Sequence, residues 1–160
     1  MKTGKIIKAW LSAVLILFIS GACGCERSKT DVNTSLPDGA FKAKITFENP
    51  PDSVKAGSDF FVSVQLKNIS NAPWPSQNEK YSINLSYHWL DKTGKTIAWE
   101  GRRTGLSNDL KPNDEAPLKA SVKAPDQPGD YILAFDMVQE NVSWFQMKGS
   151  TPGTLNLKVK

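Results

Sequence analysis

From Phe41 to the C-terminus, large apolar residues alternate with polar ones in short runs separated by Pro, Gly, Asn and Asp. Phe41, Ala43, Ile45 and Phe47 make the first run, which stops at Asn49-Pro50-Pro51. Phe60, Val62, Val64 and Leu66 share one face of the second, with Ser63, Gln65 and Lys67 opposite. Ile83, Leu85, Tyr87 and Trp89 repeat the pattern against Asn84, Ser86 and His88. Asp91-Lys92-Thr93-Gly94 has turn chemistry and leads into a run from Thr96 to Glu100. Leu118, Ala120 and Val122 follow, then Tyr131, Leu133, Phe135 and Met137 after the loop from Ala124 to Gly129. A tight turn at Glu140-Asn141 precedes Val142 to Phe145, and Leu155, Leu157 and Val159 close the chain. A period of two places each apolar set on one side of a strand. No i, i+3, i+4, i+7 stripe and no internal repeat interrupts it.

Short alternating strands with turn signals at close intervals predict an all-β domain, an antiparallel β-sandwich. About 120 residues with seven to nine strands are immunoglobulin-like dimensions. Trp89 stands where such folds bury a central tryptophan, and Tyr131, opening a late strand after a Pro-Gly loop, fits a tyrosine corner. No disulfide is available, because the two cysteines, Cys23 and Cys25, precede the domain. About 20 large apolar positions, at roughly 1.5–3 kcal/mol each, suffice for a core without one.

The front of the chain has another character. Lys2, Lys5 and Lys8 precede an apolar run from Ala9 to Ala22 that contains no acid. The run is shorter than the roughly 20 residues a membrane-spanning helix needs, and it has the layout of a secretory signal. Residues 1–22 are therefore expected to be a lipoprotein signal peptide, since Ser20-Gly21-Ala22 before Cys23 resembles the lipobox of bacterial lipoproteins. Cys23 is the expected lipidation site, with Cys25, preceded by Ala22-Cys23-Gly24, as the alternative; an ordinary cleaved signal with incidental cysteines is a third reading. Several acyl chains of the palmitate type, each buried CH₂ contributing about 0.8 kcal/mol, would anchor the protein stably to a membrane. Residues 23–40, polar apart from Val32 and Leu36, read as a tether, with the sandwich over 41–160. Removing the leader takes three lysines and lowers the net charge from +4 to about +1. The pI near 9.0 is thus largely the leader's, and a nucleic-acid partner loses its support.

Chemistry is sparse. His88 is the sole histidine, and alternation turns it away from the core toward solvent, beside Asn84 and Ser86. A nucleophilic triad needs an activated hydroxyl, a base and an orienting acid, and nothing assigns Ser82 or Ser86 to that role. Asp91, Glu100, Asp136 and Glu140 could in principle supply the paired carboxylates of a glycosidase. Glu100 beside Arg102 and Arg103 more simply predicts a hairpin ion pair, and Asp136 and Glu140 flank a turn where polar residues are expected. A domain with one histidine, no thiol after Cys25 and no calcium-loop spacing predicts neither metal nor cofactor. No catalytic residue is expected.

The aromatic residues say more. Trp89 is expected in the core, and Trp99 shares parity with Ile97, which favours the core as well. Trp74 stands in the stiff segment Pro73-Trp74-Pro75, and adjacent Trp144 and Phe145 cannot both face inward on a strand. Partly exposed, rigid aromatics stack on sugar faces or anchor protein partners. Trp74, Trp99, Trp144 and Phe145 are therefore the candidate ligand-binding residues, with Arg102 and Arg103 to meet hydroxyl or acidic groups.

Two stretches, YHWLDKTGKTIAWEGRRTGL (Tyr87 to Leu106) and APDQPGDYILAFDMVQENVSWF (Ala124 to Phe145), carry a resemblance. Together with an earlier strand ending in Asn and a Trp-Pro, they make roughly residues 55 to 160 resemble the immunoglobulin-like modules attached to bacterial surface-polysaccharide proteins. Hosts of such modules are glycosyltransferases, methyltransferases and the ATP-binding subunit of O-antigen exporters. Where such modules often have Gly after a Gln-Glu turn, this chain has Asn141, which also tolerates the left-handed conformation. The resemblance implies a non-catalytic module, some members of which bind glycan through one sheet face. The expected function is a lipid-anchored binding module of the bacterial cell envelope, facing the periplasm or exterior and recognising a glycan. The alternative is an assembly subunit docking an envelope protein through a sheet edge or loop face.

Overall fold

A computed structural model describes residues 34–76 and 80–160. Among the described residues ten strands run in the order β1 (Ala43–Glu48), β2 (Ser53–Val54), β3 (Asp59–Asn68), β4 (Ile83–Asp91), β5 (Thr96–Ala98), β6 (Thr104–Gly105), β7 (Glu115–Lys123), β8 (Gly129–Gln139), β9 (Ser143–Trp144) and β10 (Gly153–Val159). A 3-10 turn over Gln146–Lys148 lies between the last two. The smaller sheet has the order β1-β3-β7, all antiparallel. The larger sheet runs β2-β10-β8-β4-β5, with β6 also on β4 and β9 also on β8. After Asn49, at φ 45°, and two prolines the chain leaves the first sheet, and β2 joins the second beside β10 in parallel. This two-sheet arrangement is an immunoglobulin-like β-sandwich, as the alternation predicts.

The apolar sets named from the sequence meet between the sheets. Val62, Val64, Leu66, Leu118, Ala120 and Val122 of the small sheet face Leu85, Tyr87, Trp89, Leu133, Phe135 and Met137 of the large one, all buried. Trp89 donates its indole N–H to the Lys123 carbonyl at 2.9 Å and packs edge-on against Tyr131. The Tyr131 hydroxyl donates to the Gln127 carbonyl at 3.0 Å, the upstream bond of a tyrosine corner. Asn141 has φ 60°, so the turn after β8 uses the left-handed conformation anticipated for it.

Several boundaries differ from the expectation. The run from Thr96 to Glu100 is a strand only to Ala98, because Trp99 onward crosses the outside of β4. The strand expected over Val142 to Phe145 is confined to Ser143–Trp144, and Phe145 starts the 3-10 turn. β8 extends beyond the Tyr131–Met137 apolar set at both ends. The packed unit also begins before Phe41. Leu36 and Ala40 are buried, the Leu36 N–H donates to Gln139 Oε1 at 2.9 Å, and the Ala40 carbonyl accepts from the Trp74 indole at 2.9 Å. The last part of the stretch read as tether is therefore core. A lone Leu between polar residues carries no periodicity, so its burial could not be read from spacing. The expected signal peptide, the lipidation candidates Cys23 and Cys25, and the expected tether up to residue 33 lie outside the described residues.

Candidate functional site

The outer face of the large sheet departs most from a simple sandwich. Alternation sends Ser86, His88 and Asp136 to this face, yet each is only 1% exposed. Their cover comes from the connection between β5 and β6 on one side and from β9 with the 3-10 turn on the other. Trp99 stacks on the His88 ring at 4.0 Å between centroids and 18° between planes. Trp144 lies against the same ring at 4.3 Å. His88 is thus enclosed, and the expectation that it faces solvent is corrected.

The hydrogen bonds fix its state. His88 Nδ1 bonds the Trp99 carbonyl, which can only accept, so Nδ1 carries the proton. Nε2 then accepts from the Gln146 amide at 2.9 Å. The ring is neutral, and burial lowers its pKa from the ordinary histidine value. Asp136 is paired in register with Ser86. It accepts the backbone N–H of Met137 at 2.8 Å and of Gln146 at 3.0 Å, with no cation of the described residues in ion-pair contact. Burial pushes its pKa up to about 6, against which those two N–H groups act. Asp136 is a mid-strand residue closed beneath Gln146, not a turn residue as its neighbourhood in the sequence suggests.

Ser86 and His88 do not form a nucleophile–base pair. The Ser86 hydroxyl donates to the Gly101 carbonyl at 3.1 Å, while both His88 nitrogens are committed elsewhere, so no hydroxyl–imidazole pair exists here. Glu100 and Glu140 both bind Arg103, at 2.7 Å each, as the hairpin ion pair anticipated for Glu100. Among the described residues, no group of three His, Cys, Asp or Glu side chains could hold a metal ion.

The six candidate ligand residues fall into three separate places. Trp74 and Phe145 are 0% exposed and pack edge-to-face with centroids 5.1 Å apart, alongside Phe41. Asn68 makes this possible: its amide donates to the Ala72 and Leu110 carbonyls and its oxygen accepts from Ser70, bracing the loop that inserts Trp74. Neither ring presents a face to a ligand, so both are core residues. Trp99 and Trp144 are half-buried and occupied with His88, which moves Trp99 from the expected core to the outer face. Arg103 sits over the Trp144 ring at 4.9 Å and donates to Glu100, Glu140, Ser86 and the Gly101 carbonyl. Four of its donor hydrogens are thereby used. Arg102 reaches the other sheet, binding Asp59 at 2.8 Å and Ser121 at 3.0 Å. Gly101, just before them, lets this segment pass close over β4, since a Cβ there would collide with the Tyr87 carbonyl. The two arginines are braces pointing in opposite directions.

An open cleft of about 460 Å³ lies at the end of the sandwich where β4 meets the short strand β5. Its open apolar surface comes from Pro125, the half-buried Tyr131 and the β5 residues Ile97 and Ala98, while the buried Tyr87 and Trp89 add little to it. Ile97 is 53% exposed there, although an isoleucine on an alternating run reads as core. Glu100, Lys123, Asp126 and Gln127 add polar groups to the lining. The sequence reading singled out no residue of this cleft as a binding residue. Its one available signal was the exposed parity partner of Trp99, and parity ceases to report depth on a three-residue edge strand.

Fold and site together define a class: an all-β, immunoglobulin-like sandwich module with an aromatic-walled cleft at one end. No protein-family model matches the chain, and no curated protein matches its sequence. Solved structures similar to it include the CARDB domain of a Pyrococcus furiosus protein, at 18% identity and TM-score 0.45, covering 74% of this chain and 86% of that one. A β-glucosidase from Listeria innocua matches at 11% identity and TM-score 0.47, over 74% of this chain and 16% of that one. The sporulation control protein Spo0M from Bacillus subtilis matches at 13% and 0.44, over 74% and 49%. At these identities and scores they carry no ligand, activity or partner to this chain.

Proposed function

We propose that this protein is a lipid-anchored, non-catalytic binding module of the bacterial cell envelope that recognises a glycan. The observation that carries the reading is the cleft beside β5, whose aromatic and aliphatic walls stand among carboxylate, amide and amine side chains. Sugar rings present apolar C–H faces edged by hydroxyl groups, and a site of this composition matches both. The lipobox-like Ser20-Gly21-Ala22-Cys23 supports the anchor. Chain direction is consistent with it. The packed chain enters beside Gln139, opposite Ile83 at the start of β4, whereas the cleft lies at Trp89. Six residues of strand, at about 3.3 Å each, separate the two ends. A membrane anchor would leave the cleft facing away from the lipid.

Docking of a protein through a sheet edge is less well supported. The long edge strand β7 carries Pro117, Lys119 and Lys123, residues that discourage pairing with another chain. The test is calorimetric titration of the full chain, held in detergent, with glycan fractions from the host envelope. Saturable binding is expected, lost in Ala98→Trp, which fills the cleft from the exposed edge strand, with the unfolding midpoint unchanged. Absence of binding with every fraction overturns the glycan reading and moves the search to protein crosslinking in intact cells.

A further inference from the structure

The apolar walls of the cleft supply no charged group. Tyr87 accepts the Lys123 N–H at 2.9 Å, the Trp89 indole donates to the Lys123 carbonyl, and the Tyr131 hydroxyl donates to the Gln127 carbonyl. Any charged contact with a ligand must therefore come from the remaining lining side chains. There the charges are unequal. Among the described residues Asp126 makes no hydrogen bond or ion pair, and Glu100 uses only Oε2, on Arg103, leaving Oε1 open. The single ammonium lining the cleft, that of Lys123, is donated to the Gly57 carbonyl. Lys123 keeps its positive charge, but the two carboxylates outnumber it, so the charged lining side chains carry more negative than positive charge. A charged hydrogen-bond donor is stronger than a neutral one at such oxygens.

Resting on the glycan reading above, we infer that the cleft takes a glycan bearing free amino groups, that is, unacetylated hexosamine units. An ammonium on the sugar edge meets Asp126 and Glu100 while the ring face lies on the apolar wall. An N-acetylated unit offers no positive charge and leaves Asp126 without a counter-ion and Glu100 with Arg103 alone. Uronic acids and phosphorylated glycans would be repelled by them.

The experiment titrates the full chain in detergent with β-1,4-linked glucosamine oligomers and with N-acetylglucosamine oligomers of equal length, and maps binding by amide shifts at Ile97 and Tyr131. The expected result is a preference of about tenfold or more for the free amine, weakened several-fold by added salt. Asp126→Asn and Glu100→Gln should each reduce that preference several-fold at an unchanged unfolding midpoint. Equal or tighter binding of the acetylated oligomer at the same amides overturns the amine inference and leaves the glycan reading standing. If neither oligomer nor any envelope fraction binds, both fall.

Discussion

A tryptophan between two prolines looks like a surface anchor, and here it is the largest fully buried side chain. Trp74→Ala removes that ring from contact with Phe145 and strips the Ala40 carbonyl of its donor, so a loss of about 3–5 kcal/mol in urea unfolding is expected. Trp99→Ala, at a half-buried ring, should cost clearly less in the same measurement. At His88 and Asp136 the expectation concerns pH. The Asp136 pKa is raised to about 6 from 3.8, so its contribution is fullest below about pH 4 and is lost as pH rises through 6. The His88 pKa is lowered, so its contribution runs the other way and is lost as pH falls below the ordinary histidine range. The two act in opposite directions as pH falls below about 6. Urea midpoints should separate them: His88→Gln should become more stable on acidification from pH 6.5 to 4, and Asp136→Asn less stable. Parallel profiles in the two variants would show that these groups do not govern the pH response.

Among the elements, the connection from Trp99 to Arg103 has the greatest consequence for its length. It leaves β5, lays an indole on His88 and sends one arginine to each sheet. Arg103→Ala should weaken the domain by about 1–3 kcal/mol and raise amide exchange in both covering segments, 99–105 and 143–148, because its bonds to Glu140 and Ser86 tie the first of them to the sheet. Arg102→Ala, breaking a pair whose side chains are 45% and 58% exposed, should change stability by no more than about 1 kcal/mol. The apolar sets of β3, β4, β7 and β8 were legible because alternation reports directly which side of a strand is buried. The same rule misread His88 and Asp136, because it reports only the side and knows nothing of a loop that later covers the outward one. Trp99 was misread for a related reason: parity with Ile97 assumed a strand that ends at Ala98.

For the whole molecule, the domain boundary is the most direct test. A chain starting at Phe41 loses buried Leu36, its N–H bond to Gln139 and the Ala40 carbonyl over Trp74. It should unfold about 2–4 kcal/mol more easily than one starting at Thr34, as read by thermal or urea denaturation. Equal stability of the two would return residues 34–40 to the tether. The sequence by itself determined the fold class, the strand faces, the Trp89 core and the tyrosine corner, since each follows from local spacing and turn chemistry. Only the tertiary structure decided what covers the outer sheet face, which aromatics are closed and where the cleft lies. Those depend on loops that bring residues such as Trp99 and Trp144, or Ile97 and Pro125, together across more than 25 positions of chain, a distance over which no periodicity carries information.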